Sequence, residues 1–170
     1  MRIILTGTPG TGKTEIAKQL ARLLRARLVD IAQVARESGI VSRGQVDVRR
    51  LSGKLRFLKR EKRFVAEGHL ACEMKLPADF IFVLRCRPGT LTRRLKRRGY
   101  PRKKVGDNLT AEALDYCTQR VLSVYRKKPL ELETSGKSAA GCARILASAI
   151  KNKKKTLDNV DYSDYLLPRS

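Results

Sequence analysis

Short apolar runs alternate along the chain with segments whose apolar residues recur at helical spacing. Five runs have the length and composition of β-strands: residues 2–6, 26–30, 64–67, 80–84 and 130–133. Two intervening segments repeat apolar residues every three or four positions: Ile16, Leu20, Leu23 and Leu24 in the first, and Cys142, Ile145, Leu146, Ala149 and Ile150 in the second. Such segments bury one face of a helix. The alternation predicts an α/β fold, with a five-stranded parallel sheet flanked by helices.

A glycine-rich turn follows the first predicted strand and precedes the first predicted helix. Residues 6–14 read TGTPGTGKT, so that Gly7, Gly12, Lys13 and Thr14 satisfy the pattern GxxxxGK[ST]. Glycines let backbone N–H groups turn toward phosphate oxygens, and the helix adds its positive N-terminal end. The pattern predicts a P-loop that binds ATP, with Lys13 on the β- and γ-phosphates and the Thr14 hydroxyl on Mg²⁺. The loop residues expected to cradle the phosphates are Gly7, Thr8, Pro9, Gly10, Thr11 and Gly12.

An acidic residue closes the third predicted strand, and the single histidine of the chain follows it. Glu67 stands at the carboxyl end of the strand, where open α/β sheets bind their ligands. We expect its carboxylate to hold the metal directly or through water. His69 lies two residues on. A lone histidine is commonly structural, but beside a candidate metal carboxylate it suits a water-orienting or proton-handling role.

A strongly basic stretch, residues 91–108, predicts a helix followed by a lid. Arg94 and Arg98 are spaced i and i+4, so on a helix they share a face suited to clamping phosphoryl oxygens. The segment that Gly99, Pro101 and Gly106 bracket is expected to close over a transferring phosphate, with the lid at about residues 98–108. Arg93, Lys96 and Arg97 carry the same charge, and their spacing favours simple solvation.

Charge adds a second feature to this picture. The chain has 170 residues and a formal net charge of +22, far more than one nucleotide requires, with basic clusters at 49–63, 93–104 and 151–155. A polyanionic partner is one interpretation, and solvated helix faces are the other. We expect one P-loop domain at 1–150, then a basic linker and an acidic, aromatic tail at 151–170. Tyr162 and Tyr165 of the tail are expected to pack on the core or to be disordered, rather than to stack on RNA bases.

Cysteine spacing and apolar run length bear on the cellular setting. The four cysteines show no metal-ligand spacing, and no apolar run is long enough for a bilayer. We therefore expect reduced thiols, a cytoplasmic protein and no membrane contact.

Taken together, several motifs resemble the adenylate kinase isoenzyme 6 family, also described as coilin-interacting nuclear ATPases. The similar segments are LTGTPGTGKT, VARESG, the EGH after the third strand, RRLKRRGYPRKKVGDN and ELETSGKS, in the same order across most of residues 1–150. The most specific element is RGY followed by KK and DN. The VDYSDYLL tail is similar to the end of archaeal members.

The resemblance implies a nucleoside monophosphate kinase-like fold, with a monophosphate-binding insert at about 31–63 and a short lid. It implies phosphoryl transfer from ATP to AMP, ATP hydrolysis, and a role in small ribosomal subunit maturation with a ribosomal protein and ribosomal RNA as partners, in a monomer or weak oligomer; a eukaryotic member would also be nuclear. By position, Arg36 and His69 would meet AMP, and Arg94 and Arg98 the phosphates. Ser135, Gly136 and Lys137 would lie near the adenine.

Two departures from the family pattern leave alternatives open. Glu67 stands where the family motif often begins with Asp, and residues 38–62 are basic where acidic residues are expected, so selectivity for AMP does not follow. One alternative is a nucleotide-switched ATPase of ribonucleoprotein assembly with little kinase activity. The other is a P-loop kinase for a different small acceptor.

Overall fold

The computed structural model describes residues 1–42 and 45–167 of the chain. Its central sheet has five parallel strands: β1 (Arg2–Gly7), β2 (Arg27–Asp30), β5 (Phe64–Glu67), β6 (Phe80–Arg85) and β7 (Leu130–Glu133). Their order across the sheet is β2-β5-β1-β6-β7, and every neighbouring pair is parallel. The five strands predicted from the apolar runs are thereby confirmed, as is the α/β class.

Helices cover both faces of this sheet. They are α1 (Lys13–Leu24), α2 (Ile31–Glu37), α3 (Val48–Lys54), α4 (Pro88–Arg97), α5 (Arg102–Ala113), α6 (Tyr116–Tyr125) and α7 (Ala139–Lys151). Because side chains alternate along a strand, Ile3 and Leu5 pack against α1 and α7, whereas Ile4 contributes to the core on the other face, with α2, α3 and α6. In the described part of the chain, no helix is long and apolar enough to cross a membrane.

The region of the predicted insert folds as a small helical unit with a hairpin. Helix α2 is followed by two-residue strands, β3 (Val41–Ser42) and β4 (Gln45–Val46), then by α3 and a 3₁₀ turn at Leu55–Lys59. Apolar periodicity could not predict strands of two residues. Residues 43 and 44 of the predicted insert lie outside the described residues.

The predicted lid region is more helical than its glycines suggested. Helix α4 ends at Arg97, and Gly99 takes a positive φ of 71° in the turn that follows. Helix α5 then begins at Arg102, so that Gly106 lies inside a helix rather than closing a loop. The stretch 98–108 therefore consists of a four-residue turn and the first two turns of α5.

The tail folds back onto the last strand. Asp158 forms an antiparallel bridge with Glu131, and its carboxylate accepts a hydrogen bond from the Glu133 N–H at 2.8 Å. A 3₁₀ turn at Ser163–Leu166 lies one residue before the end of the described part, and residues 168–170 of the predicted tail lie outside it. The ring of Tyr162 lies 5.3 Å from the guanidinium of Arg85, which agrees with packing on the core.

Arg85 joins the tail, the sheet and α5 through a buried ionic network. Its guanidinium is 2% exposed and pairs with Glu112 at 3.0 Å, with Glu131 at 2.6 Å, and with Asp115. Glu112 is equally buried and also accepts a hydrogen bond from the Cys86 N–H. Removing the Arg85 guanidinium would leave buried carboxylates without a partner. The network therefore holds the end of β6, which leads into α4, in place.

Candidate active site

The glycine-rich turn forms a tight loop between β1 and α1. Gly7, Gly10 and Gly12 have φ values of 140°, 95° and 97°, in the region that favours glycine. A Cβ atom at Gly7 would stand 2.4 Å from the carbonyl oxygen of Leu84 on the neighbouring strand. The loop thus follows a path that side chains at these positions would prevent.

Lys13 reaches back over this loop from the first turn of α1. Its side chain is buried, and Nζ donates hydrogen bonds to the carbonyl oxygens of Gly7 at 2.9 Å and Thr8 at 3.1 Å. Burial lowers the pKa of the ammonium, and the charge of Glu67 is among the groups that oppose the shift. The ammonium group of Lys13 is therefore held at the loop, where the phosphate oxygens of a bound nucleotide would accept its hydrogen bonds.

Thr14 and Glu67 bring two oxygen atoms together at the start of α1. The Thr14 Oγ1 donates a hydrogen bond to Glu67 Oε1 at 2.9 Å. Burial raises the pKa of Glu67, while the hydrogen bond from Thr14 and the charge of Lys13 lower it. A hydroxyl and a carboxylate next to a phosphate loop fit Mg²⁺, which takes one or two protein oxygens and completes its shell with water and phosphate. Among the described residues no cluster of three His, Cys, Asp or Glu could form a metal cage.

A cleft of about 460 Å³ opens above these groups, at the carboxyl ends of β1, β2 and β5. This is the edge of the sheet where doubly wound folds bind ligands. Besides the loop residues and Thr14, the side chains that line the cleft include Asp30, Arg36, Glu67, His69, Arg98, Tyr100 and Lys104. Residues predicted to bind ATP and residues predicted to bind AMP therefore line one cavity, although they come from four separate parts of the sequence.

His69 lines this cleft directly after β5, at the start of a short 3₁₀ turn that spans His69–Cys72. Desolvation within the cleft lowers the pKa of its ring, and the positive charges of Lys13 and Lys104 lower it further, against an opposing effect of Glu73. The imidazole is consequently neutral at neutral pH, and a neutral ring can accept a hydrogen bond or a proton.

The two arginines of the predicted phosphate clamp have different surroundings. Arg98 caps α4 and lines the cleft. Arg94 instead lies beside the loop, where its guanidinium donates to the carbonyl oxygens of Gly10 and Thr134, both at 3.3 Å. Arg94 thus braces the phosphate loop against the end of β7, and the structure does not bring it to the cleft wall with Arg98.

The residues predicted to lie near the adenine are also outside this cleft. The Ser135 Oγ accepts a hydrogen bond from the Arg87 N–H at 2.9 Å, and the Lys137 Nζ donates to the Glu133 carbonyl at 2.7 Å. Lys137 lines a neighbouring cavity that is bounded by Arg87, Glu133 and tail residues 157–162. Adenine contact by residues 135–137 stays a prediction.

The cleft also contains residues that were not among the candidates singled out from the sequence, and Asp30, Tyr100 and Lys104 are three of them. Asp30 ends β2 in register with Glu67, and it could have been found from the rule that carboxyl ends of neighbouring parallel strands line up. Tyr100 and Lys104 come from the lid region, with Lys104 Nζ 4.6 Å from the ring centroid of Tyr100. The position of Tyr100 in the turn and of Lys104 in α5 could not be predicted from spacing alone.

The sheet, its flanking helices and the glycine-rich loop define a P-loop NTPase fold of the kinase type. Similar solved structures include shikimate kinase from Acinetobacter baumannii (TM-score 0.69, 20% identity, 90% of this chain and 94% of that chain). Deoxyadenosine kinase from M. mycoides with bound dATP is another (TM-score 0.62, 14% identity, 89% and 100%). At such identities these likenesses establish the fold alone.

Sequence comparison establishes the family. Residues 3–115 match the family described as AAA domain. The chain is 34% identical to a protein of Methanocaldococcus jannaschii named "Putative adenylate kinase", over 98% of this chain and 97% of the relative. A protein of the same name from Pyrococcus furiosus is 33% identical, over 99% and 96%. The chain therefore belongs to the family of these archaeal proteins.

Proposed function

We propose that this protein is a nucleotide kinase that transfers the γ-phosphoryl group of ATP to AMP and yields two ADP. The observation that carries the proposal is the composition of one cleft. The phosphate loop with Lys13 and the Thr14–Glu67 pair form one wall, and Arg36, His69 and Arg98 face it from other elements. The name shared by the relatives supports the choice of acceptor.

On the donor side, the loop and Lys13 would bind the triphosphate. Phosphate oxygens are stronger acceptors than the two neutral carbonyls that Lys13 now contacts, because both partners are then charged. Thr14 and Glu67 would hold Mg²⁺, which when bound neutralises part of the charge on the transferring phosphoryl group. Glu67 is suited to this because its carboxylate is fixed by Thr14 and faces the cleft.

On the acceptor side, Arg36 and His69 would bind the monophosphate. Arg36 lies on α2 with its side chain 64% exposed, and its contact with Asp30 is long, at 4.0 Å. A loosely paired guanidinium is available for bidentate contact with phosphate. The neutral ring of His69 would orient the attacking oxygen or handle its proton.

In the transition state of phosphoryl transfer, charge spreads over the equatorial oxygens, and positioning with charge neutralisation supplies most of the catalysis. Among the described residues that line the cleft, Lys13 and Arg98 are cations that would neutralise this charge. Arg94 would contribute indirectly, by holding the carbonyl of Gly10 in the loop.

A second role is favoured by the net charge of +22 and by the family resemblance. ATP hydrolysis in the same cleft would switch the insert or the lid, and thereby serve small ribosomal subunit assembly with a ribosomal protein and ribosomal RNA. A kinase for another small acceptor is the alternative that the basic insert keeps open, because cations at positions 49–63 do not select AMP over other phosphorylated acceptors.

Transfer of labelled γ-phosphate to a panel of acceptors tests the proposal. Purified protein is incubated with Mg²⁺, γ-labelled ATP and AMP, CMP, GMP or deoxyadenosine, and the labelled products are separated. We expect label in ADP with AMP as acceptor. Label that appears only as inorganic phosphate, or on another acceptor, would contradict the assignment.

Matched variants assign the activity to the cleft. Lys13→Ala should lower the rate of transfer by about 10²-fold or more, whereas Arg22→Ala, at an exposed position near the end of the same helix, should not. Arg36→Ala should raise the KM for AMP and leave the KM for ATP unchanged.

A further inference from the structure

The end of the molecule opposite the cleft carries a concentration of exposed positive charge. The five strands of the central sheet are parallel, so all begin at this end, and helices α1 and α7 run back to it. Fourteen exposed cations lie here, and we call this surface the basic pole: Arg22, Arg25, Arg56, Lys59, Arg60, Lys62, Arg63, Arg126, Lys127, Lys128, Lys151, Lys153, Lys154 and Lys155.

Four separate segments supply these cations. They are the end of α1 with the turn before β2, the stretch from the 3₁₀ turn to β5, the connection from α6 to β7, and the end of α7 with the residues after it. A backbone contact joins the first two of them, since the Arg27 N–H donates to the Arg63 carbonyl at 3.3 Å, and the amino-terminus donates to the Lys62 carbonyl at 2.5 Å. The pole is therefore a product of the fold, not of one charged run.

Acidic residues at this end do not neutralise the pole. Glu61 pairs with Arg27, and Asp79 pairs with Arg2 at 2.7 Å and with the amino-terminus at 3.5 Å. None of the fourteen cations makes an ion pair within residues 1–42 and 45–167. So many unpaired cations on one face attract a polyanion strongly and repel one another without it.

The width of the pole fits a nucleic acid strand. Strands lie about 4.8 Å apart, so the four intervals from β2 to β7 span about 19 Å. At about 3.4 Å per phosphate along one strand of a duplex, that distance corresponds to roughly five or six phosphates. A single small anion would use only a small part of such a surface.

The residues around these cations favour contact with the phosphate backbone of a nucleic acid. They do not favour stacking on its bases or binding to a lipid bilayer. The exposed large apolar residues at this end, among those described, are the aliphatic Leu23, Leu28 and Leu122, while Phe57, Phe64 and Tyr125 are buried or half-buried. Exposed aromatic platforms for stacking bases are therefore absent from the described part of the pole. The cations also come from turns and helix ends rather than from the amphipathic helix that binds bilayers.

We propose that the basic pole binds the phosphate backbone of nucleic acid, independently of base sequence, while the cleft at the opposite end stays open to nucleotides. The basic pole would be the RNA-binding surface for the role in small ribosomal subunit assembly proposed above. The proposal rests on charge and fold alone, and stands whether or not the cleft phosphorylates AMP.

Fluorescence anisotropy with a labelled single-stranded RNA of mixed sequence, about 20 nucleotides long, tests the proposal on the full chain. With five phosphate contacts, the affinity should fall about 10²-fold between 50 and 200 mM salt, and a homopolymer of the same length should bind equally well. A flat salt response, or binding to anionic phospholipid vesicles without binding to RNA, would overturn it.

Charge-matched variants locate the site. One variant carries Arg60→Glu, Arg63→Glu and Lys127→Glu, and its control carries Arg93→Glu, Arg97→Glu and Arg144→Glu, exposed cations of α4 and α7 outside the pole. We expect the pole variant to lose at least ten times more affinity than the control. Equal losses would mean that net charge alone attracts RNA, which would overturn the proposal.

A second variant guards against misfolding. This variant combines Lys153→Ala, Lys154→Ala and Lys155→Ala, at positions outside helices and strands. We expect it to weaken RNA binding without changing the midpoint of thermal unfolding. Unchanged RNA affinity in both pole variants would contradict the proposal.

The cleft is tested separately in the same experiments. Lys13→Ala should bind RNA like the wild type, and the pole variants should transfer phosphate like the wild type. RNA binding at the pole without phosphorylation of AMP would refute the proposed kinase activity but not the pole, and the reverse result would refute only the pole.

Discussion

Replacing Glu67 by Gln should separate catalysis from stability in this protein. The glutamine has the same shape, and its carbonyl oxygen can still accept the hydrogen bond that Thr14 donates over 2.9 Å. What disappears is one negative charge, from a side chain that is 4% exposed. The substitution therefore removes a candidate anionic ligand of Mg²⁺ while leaving the geometry of the loop in place.

The effect on activity follows from the loss of that charge. Changes close to a metal ligand commonly cost about 10- to 100-fold in metal affinity, and loss of one transition-state contact costs about 10² to 10³ in kcat. We expect the Mg²⁺ concentration for half-maximal phosphoryl transfer to rise about 10- to 100-fold. At saturating Mg²⁺, kcat should still be about 10²-fold lower.

Stability should change in the opposite direction. Burial raises the pKa of Glu67 in the folded protein, so ionising this carboxyl costs free energy of folding at neutral pH. Glu67→Gln removes that cost, and for a chain of this size each 1 kcal/mol gained raises Tm by about 2–4 °C. The gain should be largest above the pKa of the folded state and vanish below about pH 4, where unfolded glutamate is also protonated.

Thermal unfolding at several pH values, together with a coupled assay for ADP, provides both measurements. Glu73→Gln is the matched control, since Glu73 bonds to Arg120 and Tyr116 outside the cleft. Burial tends to raise the pKa of Glu73, but the bonds from Arg120 and Tyr116 outweigh it and lower that pKa, so this control should lose stability and keep activity. If Glu67→Gln lost stability and kept full activity, Glu67 would be structural and the reasoning refuted.

Three other results are expected. Lys13→Ala should lower kcat by about 10²-fold or more, and turnover near that of the wild type would rule out the phosphate loop as the catalytic site. Because His69 is the only histidine, its ring gives a single titrating NMR signal, whose midpoint should lie below the ordinary 6.5; a midpoint at or above that value would remove the neutral-ring role. Arg85→Met should destabilise the fold by about 3–5 kcal/mol, measured by denaturant unfolding, because Glu112 loses its buried partner, and a loss below about 1 kcal/mol would show that the network is not structurally important.

Features carried by local pattern could be predicted from the sequence. The five strands, the phosphate loop and the helix after it follow from apolar spacing and glycine position, since these depend on near neighbours in the chain. The meeting of Glu67 with Thr14 follows from the rule that parallel strands end at one edge. For the same reason, the position of Asp30 beside Glu67 could have been predicted from the sequence.

Features that depend on tertiary packing could not be predicted. The i, i+4 spacing placed Arg94 and Arg98 on one face, but nothing in it indicates that Arg94 contacts Gly10 and Thr134 while Arg98 lines the cleft. The buried network of Arg85 joins residues 26 to 46 positions apart in the sequence. The basic pole likewise assembles from four segments, whereas the sequence showed only separate charged runs.

The stoichiometry of nucleotide conversion tests the central claim most directly. Purified protein is incubated with ATP and Mg²⁺, with and without AMP, and every nucleotide is quantified by ion-exchange chromatography alongside Lys13→Ala. The account predicts that AMP and ATP disappear one for one, that two ADP form for each pair, and that Lys13→Ala forms ADP at least about 10²-fold more slowly. Release of ADP and inorganic phosphate at a rate indifferent to AMP would contradict it.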